Sequence, residues 1–256
     1  MTRKLMNIGL MIGVVALGAT LHAQGRGVRL LGTQAGRPGK IVKGAPYSAD
    51  VSNETTRTLA DGNTIHQTSS GRIYRDGEGR TREEPSLQVL GSAVPGGNVP
   101  QLAFIYDPVA GVSYVLNLMN RTATRTVWPQ PPAGGPVNQP NGPPRPAPLN
   151  TRNESLGTQV IASVLAEGTR TTLTIPAGQI GNTQPIAVVS ERWYSPDLQV
   201  VVFSKRSDPR AGDTVYQLTN INRSEPPAAL FAVPAEFQIS DVKPRMGMRP
   251  PGRPAQ

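Results

Sequence analysis

Gln199-Val-Val-Val-Phe-Ser-Lys205, Ser207-Asp-Pro-Arg-Ala-Gly-Asp213 and Thr214-Val-Tyr-Gln-Leu-Thr219 follow one another along the chain, and together they decide the fold. The outer pieces are rich in Val, Tyr, Phe and Thr, which fit a pleated surface, and the middle piece collects Asp, Pro and Gly, which turn a chain. That is a β-hairpin. Upstream, Arg72-Ile-Tyr-Arg75 and Arg80-Thr-Arg-Glu83 flank Asp76-Gly-Glu-Gly79, and a four-residue turn there would set Arg75 opposite Arg80. Ala103-Phe-Ile-Tyr106 and Val112-Ser-Tyr-Val-Leu116 flank Asp107-Pro-Val-Ala-Gly111 in the same way, and Leu59 to Ile65 reverses around Asp61-Gly62-Asn63. Turns at roughly ten-residue spacing predict a mainly β protein built on a single antiparallel meandering sheet.

Helix signals are scarce. Leu156 to Ala166 has a loose helical spacing at Val160, Val164 and Leu165, and it is readable as helix or as strand, with strand preferred. Thr169 to Ile175 is a strand, and Pro226 to Phe231 suits a single helical turn. Pro129 to Pro148 holds nine prolines in twenty residues, which supports neither ladder nor helix. It is a linker or a Pro-rich insertion, 129–148, within one β domain spanning 47–239; the flanking halves are small for independent cores.

The first 23 residues have the order of a secretory signal peptide: Arg3 and Lys4, an uncharged apolar run from Ile8 to Leu21, then Leu21-His22-Ala23 before Gln24. The run is short of the ~20 apolar residues a bilayer needs. Export with no cysteine excludes a disulfide scaffold and a lipid-anchored cysteine, and it fits a periplasmic or extracellular destination.

The net charge of +9 is unevenly placed. Residues 24–46 carry Arg26, Arg29, Arg37, Lys40 and Lys43 with no acid, and 240–256 carry Lys243, Arg245, Arg249 and Arg253 against Asp241. Between them, 15 basic face 16 acidic residues, and all twelve aromatics lie from Tyr47 to Phe237. Arms of Gly, Pro and Arg without aromatic anchors are expected to be disordered, with weak attachment to anionic surfaces and no specific nucleic-acid recognition. Membrane contact is expected to be peripheral at most.

Familiar catalysis finds little to work with. Once His22 leaves with the signal peptide, His66 is the remaining histidine, and no thiol, Gly-x-Ser-x-Gly elbow, phosphate loop or dinucleotide fingerprint is present. No metal site and no cofactor are expected. Asp76, Glu78, Glu83 and Glu84 cluster near one hairpin and are the candidates for a carboxylate pair acting on glycans. Arg72, Arg75, Arg80 and Arg82 form the candidate anion site, for a lipid head group or an anionic envelope polymer.

Two groups of segments look familiar. Lys43 to Glu84 forms the first; Glu167 to Gln179, Ser190 to Asp197, Ser204 to Arg210 and Leu230-Phe-Ala-Val-Pro234 form the second. They resemble a group of exported bacterial proteins with no assigned activity, which supplies no catalytic residues. More distantly, Trp193 ahead of the 199–219 hairpin, with Leu230 to Pro234 closing the domain, is similar to the LolA-like and RseB-like half-barrels. That resemblance implies a strongly curved, half-barrel-like sheet whose concave face receives an acyl chain or an apolar partner. Trp193, Tyr194, Phe203 and Phe231 are the residues for such a groove, or for the core. The expected function is a non-enzymatic exported β-sheet protein that binds an apolar or anionic envelope component. The alternatives are a glycan-acting enzyme and an interaction protein that uses its Pro-rich loop as a peptide ligand.

Overall fold

The structure is a computed structural model and describes residues 41–86, 101–128 and 150–242. The expected signal peptide, the Pro-rich stretch and most of both basic arms lie outside those residues. The described chain forms strands β1 (Tyr47–Thr58), β2 (Thr64–Arg75), β3 (Thr81–Ser86), β4 (Leu102–Asp107), β5 (Val112–Asn117) and β6 (Thr122–Val127). There follow β7 (Thr151–Ile161), β8 (Val164–Ile175), β9 (Ile186–Ser195), β10 (Val200–Asp208), β11 (Gly212–Asn222) and β12 (Gln238–Asp241). A single 3-10 turn covers Ala228–Phe231. Residues 156–166 are strand and hairpin, with the reversal at Ala162 and Ser163.

All twelve strands belong to one open sheet, in the order β12-β6-β5-β4-β3-β2-β1-β11-β10-β9-β8-β7. Two meanders, β1 to β6 and β7 to β11, are joined by antiparallel pairing of β1 with β11. The sheet is antiparallel throughout except at one edge, where β12 pairs in parallel with β6. β12 therefore continues to Asp241, into the stretch whose composition suggested a tail.

One turn chemistry recurs four times. Asp107, Asn117, Ser195 and Asp208 each open a hairpin turn, and each side-chain oxygen accepts a backbone N–H two or three residues on. The fifth residue takes a left-handed backbone in every case: Gly111, Arg121, Gln199 and Gly212. Proline follows the first residue in three of the four, fixing φ for a tight turn. The 76–80 turn is different, and it corrects the expected facing of Arg75 and Arg80. Asp76 accepts from the backbone N–H of Glu78 and of Arg80, and the loop closes between Asp76 N and Arg80 O. The turn is one residue longer than expected, so Arg75 pairs with Thr81.

The two faces can be told apart by what reaches across them. Arg75 on β2 donates to the carbonyl of Leu198, in the β9–β10 turn, and its charge is felt by Tyr194 on β9. On a flat sheet β2 and β9 would be four spacings apart, roughly 19 Å. Both side chains share the face of Tyr47, so the sheet curls toward that face, which is the inner one. Tyr47, Ala49, Ile73, Leu198, Val200, Val202 and Leu218 form the core of the closed end. On the outer face of β4 to β6, Ala103, Ile105, Leu116 and Ala123 pack with Val233 and Phe237 from the segment leading to β12.

Candidate functional site

Antiparallel partners share a face, so the register lays out the inner surface in transverse lanes. Nearest the closed end are Tyr47, Arg75, Thr81, Tyr106 and Ser113, paired in series. Next come Ala49, Ile73, Glu83, Phe104 and Val115. The third lane is Leu218, Val51, Gly71 and Pro85. These three lanes make an apolar belt that holds Arg75 and Glu83.

Beyond it the character changes within one lane. Ser69, Asn53, Tyr216, Ser204, Arg192 and Thr169 are paired in series, followed by Gln67, Thr55, Thr214, Arg206, Ser190 and Thr171. This is a polar belt with two guanidiniums. Tyr216 sits at the boundary, offering a ring to one side and a hydroxyl to the other.

The apolar belt is only partly covered. Tyr47, Ala49, Ile73 and Leu218 are buried, whereas Val51, Phe104 and Tyr106 are half-buried and Val115 is 40% exposed. β4 is thus apolar on both faces, and β5 adds Val115 to the inner one, between Ser113 and Asn117. Ala103, Ile105 and Leu116 face the packed outer side; Phe104 and Val115 face the concavity. Burial pushes the Tyr47 phenol up to about 12, although Arg75 pulls the other way. Burial also raises Tyr216, with the charges of Tyr47 and Glu83 adding to it. These phenols stay protonated and neutral in ordinary buffers.

The four arginines of the candidate anion site do not converge. Arg75 is on the inner face, donating to Ala45 O at 2.9 and 2.7 Å and stacked 4.7 Å from the Tyr47 ring centroid. Burial lowers its pKa. Arg80 holds Asp76 at 2.5 Å within the turn and lies over Phe231. Arg72 and Arg82 are on the outer face, where Arg72 meets Asp50 at 3.2 Å and Arg82 bonds Glu84 and the Leu230 carbonyl.

The aromatic candidates are divided too. Trp193 and Phe203 are cross-strand partners beside a register shift in β10; Trp193 packs against the core of the closed end, and a Cβ on Gly168 would come within 2.8 Å of its ring. Tyr194 is on the inner face beneath Arg192, and Phe231 is buried in the 3-10 turn. Of the carboxylates, Asp76 organises the turn, Glu78 reaches Lys43, Glu83 faces inward and Glu84 outward. His66 is exposed on the outer face between Thr56 and Thr68. Among the described residues, no group of three or more His, Asp or Glu side chains is placed to hold a metal ion, and no helix is long and apolar enough to cross a membrane.

No protein-family model matches the chain, and no curated protein matches it. Solved structures do. An uncharacterized conserved protein from Thermus thermophilus aligns over 77% of this chain and 91% of that one, with 10% identity and a TM-score of 0.41. MucB from Pseudomonas aeruginosa, solved in complex with MucA, aligns over 78% of this chain at 15% identity and a TM-score of 0.42. There the match spans 59% of the solved chain. A LolA superfamily protein from Nitrosomonas europaea aligns over 73% of this chain and 90% of that one, at 10% identity and a TM-score of 0.31. The distant resemblance to LolA-like and RseB-like half-barrels therefore has counterparts among solved structures.

Proposed function

We propose that this is an exported, non-enzymatic protein that holds the apolar part of an envelope lipid against the inner face of its sheet. One observation carries this. Strand β4 is apolar on both faces, with Ala103 and Ile105 outward and Leu102, Phe104 and Tyr106 inward, the pattern of a strand covered on both sides, and Val115 of β5 extends its inward surface. Its outer face is covered by the Leu230–Phe237 segment, while Phe104 and Val115 line a concavity and stay partly open. An acyl chain laid along Val115, Phe104, Val51 and Tyr216 would remove that surface from water, at ~0.8 kcal/mol per buried methylene. The expected periplasmic or extracellular location supplies such ligands.

The test is native mass spectrometry of the protein purified from a periplasmic extract, followed by titration with the fluorescent fatty acid cis-parinaric acid. A co-purified lipid mass and saturable parinaric fluorescence are expected. Phe104→Ser combined with Val115→Ser should weaken parinaric binding by about tenfold or more, since two apolar contacts are lost. An empty protein with no saturable fluorescence overturns the proposal.

A further inference from the structure

Resting on that acyl-binding reading, we infer that the polar belt of the inner face binds the phosphate of a phospholipid, held by Arg192 and Arg206. The two arginines lie on neighbouring strands of the same face, Arg192 opposite Ser204 and Arg206 opposite Ser190. They are diagonal neighbours, roughly 7–8 Å apart at the backbone, with serine hydroxyls between them. That spacing lets two guanidiniums close on one phosphate.

Neither arginine is committed to a carboxylate of its own. Arg192 is exposed, stacks 5.1 Å from the Tyr194 ring centroid, and has no ion-pair partner among the described residues. Glu167, one lane along on β8, makes no ion pair with it among those residues. Arg206 lies 3.3 Å from Asp208, but that carboxylate is already gripped by Arg210 at 2.9 and 2.8 Å. Arg210 is also the main reason that the Asp208 carboxyl sits well below the usual range. Arg206 is therefore the surplus cation of the trio, and its side chain is 54% exposed. Of the other nearby acids, Asp213 and Glu191 face outward and pair with Lys205 and Arg170.

The belt is also at the right height for an amphiphile. Along β11, Leu218 lies in the apolar belt and Tyr216 in the Arg192 lane, a rise of two residues, or about 7 Å. A phosphate on Arg192 and Arg206 would be continuous with a chain lying over Val51 and Phe104.

Short-chain lipids below their micelle concentration decide the matter, because they avoid the adhesion of basic arms to a charged bilayer. We would titrate the signal-free protein with dihexanoyl-phosphatidylglycerol and with the phosphate-free dihexanoylglycerol by isothermal calorimetry. The anionic lipid is expected to bind about tenfold tighter, one charge-assisted contact's worth. Arg192→Gln with Arg206→Gln should bring the two lipids within about twofold and leave dihexanoylglycerol affinity unchanged; Arg72→Gln should keep the preference. Equal affinities in the wild type, or a preference that survives the double variant, overturn the phosphate site while acyl binding stands. Binding of neither lipid overturns the acyl reading and this inference with it.

Discussion

Replacing Arg75 by methionine should show what keeps the sheet curled. The Arg75 guanidinium ties the end of β2 to Ala45 O on one side and Leu198 O on the other, and it stacks on the Tyr47 ring. The residue is only 6% exposed, so solvent cannot replace those bonds. Methionine keeps much of the stem volume and removes every donor. A buried carbonyl stripped of its donor costs ~1–3 kcal/mol, and two are at stake. Loss of the cation–π contact adds about 0.5–2 kcal/mol. Relief of the cost of burying a charge offsets part of this, leaving a net loss of about 3 kcal/mol.

For a β domain of this size, ~3 kcal/mol corresponds to a fall of roughly 6–12 °C in melting temperature, read by far-UV circular dichroism. Arg72→Met is the internal control: it lies three residues away on the same strand, on the outer face, with a single exposed ion pair to Asp50. Exposed pairs contribute little, so its melting temperature should stay close to the parent's. Arg75→Lys, which keeps the charge but not the two-pronged fork, should fall between the two. Equal losses for Arg75→Met and Arg72→Met would refute the role given to Arg75.

Two further outcomes follow from local geometry. Gly178 and Gly212 both have a left-handed backbone, but a Cβ at Gly178 meets open space, whereas one at Gly212 would collide with the Thr56 carbonyl on β1. Gly178→Ala should therefore cost ~1–2 kcal/mol in urea unfolding, and Gly212→Ala a further ~1–3 kcal/mol for the forced shift; equal costs would rule out a tight β10–β11 hairpin against β1. The Asp208 carboxyl is lowered to about 2, chiefly by its hydrogen bond to Arg210. A depressed carboxylate stabilises above its unfolded pKa of ~3.9 and loses that contribution as pH falls through its folded value. Asp208→Asn should thus flatten the rise of melting temperature between about pH 2 and 4, and an unchanged slope there would show that the Arg210 contact does not operate in solution.

Turn positions were legible because they depend on local chemistry. Asp-Gly and Asp-Pro-x-Ala-Gly announce themselves over five residues, and the strands between them are what such turns leave behind. Strand order was not legible, since β1 pairs with β11 across more than a hundred and fifty residues and no local pattern encodes that partnership. The candidate site failed for a simpler reason. Arg72, Arg75, Arg80 and Arg82 are close in sequence, but side chains alternate along a strand, which sends Arg72 and Arg75 to opposite faces. The same alternation separates Trp193 from Tyr194, so adjacent aromatics of one strand could not line one groove. Arg192 and Arg206 carried no signal of their own until the β9–β10 register put them on one face.

That register also explains why the inner face divides where it does. On β1 the inward residues run Ala49, Val51, then Asn53, Thr55; on β2 they run Ile73, Gly71, then Ser69, Gln67. On β11 Leu218 gives way to Tyr216 and Thr214, while on β10 Ser204 and Arg206 continue the polar side. Neighbouring strands thus change from apolar to polar at the same height, although they come from distant parts of the chain. Folding alone needs only the apolar half, whose burial around Leu198 and Leu218 closes the end of the curl. A shared boundary between the belts, with Tyr216 standing on it and two guanidiniums just beyond, is what a ligand with an apolar body and an anionic head requires. The concavity is therefore amphipathic along its depth, and its two halves make separable demands: apolar substitutions at Phe104 and Val115 should weaken every lipid alike, and neutralising Arg192 and Arg206 should weaken only those that carry a phosphate.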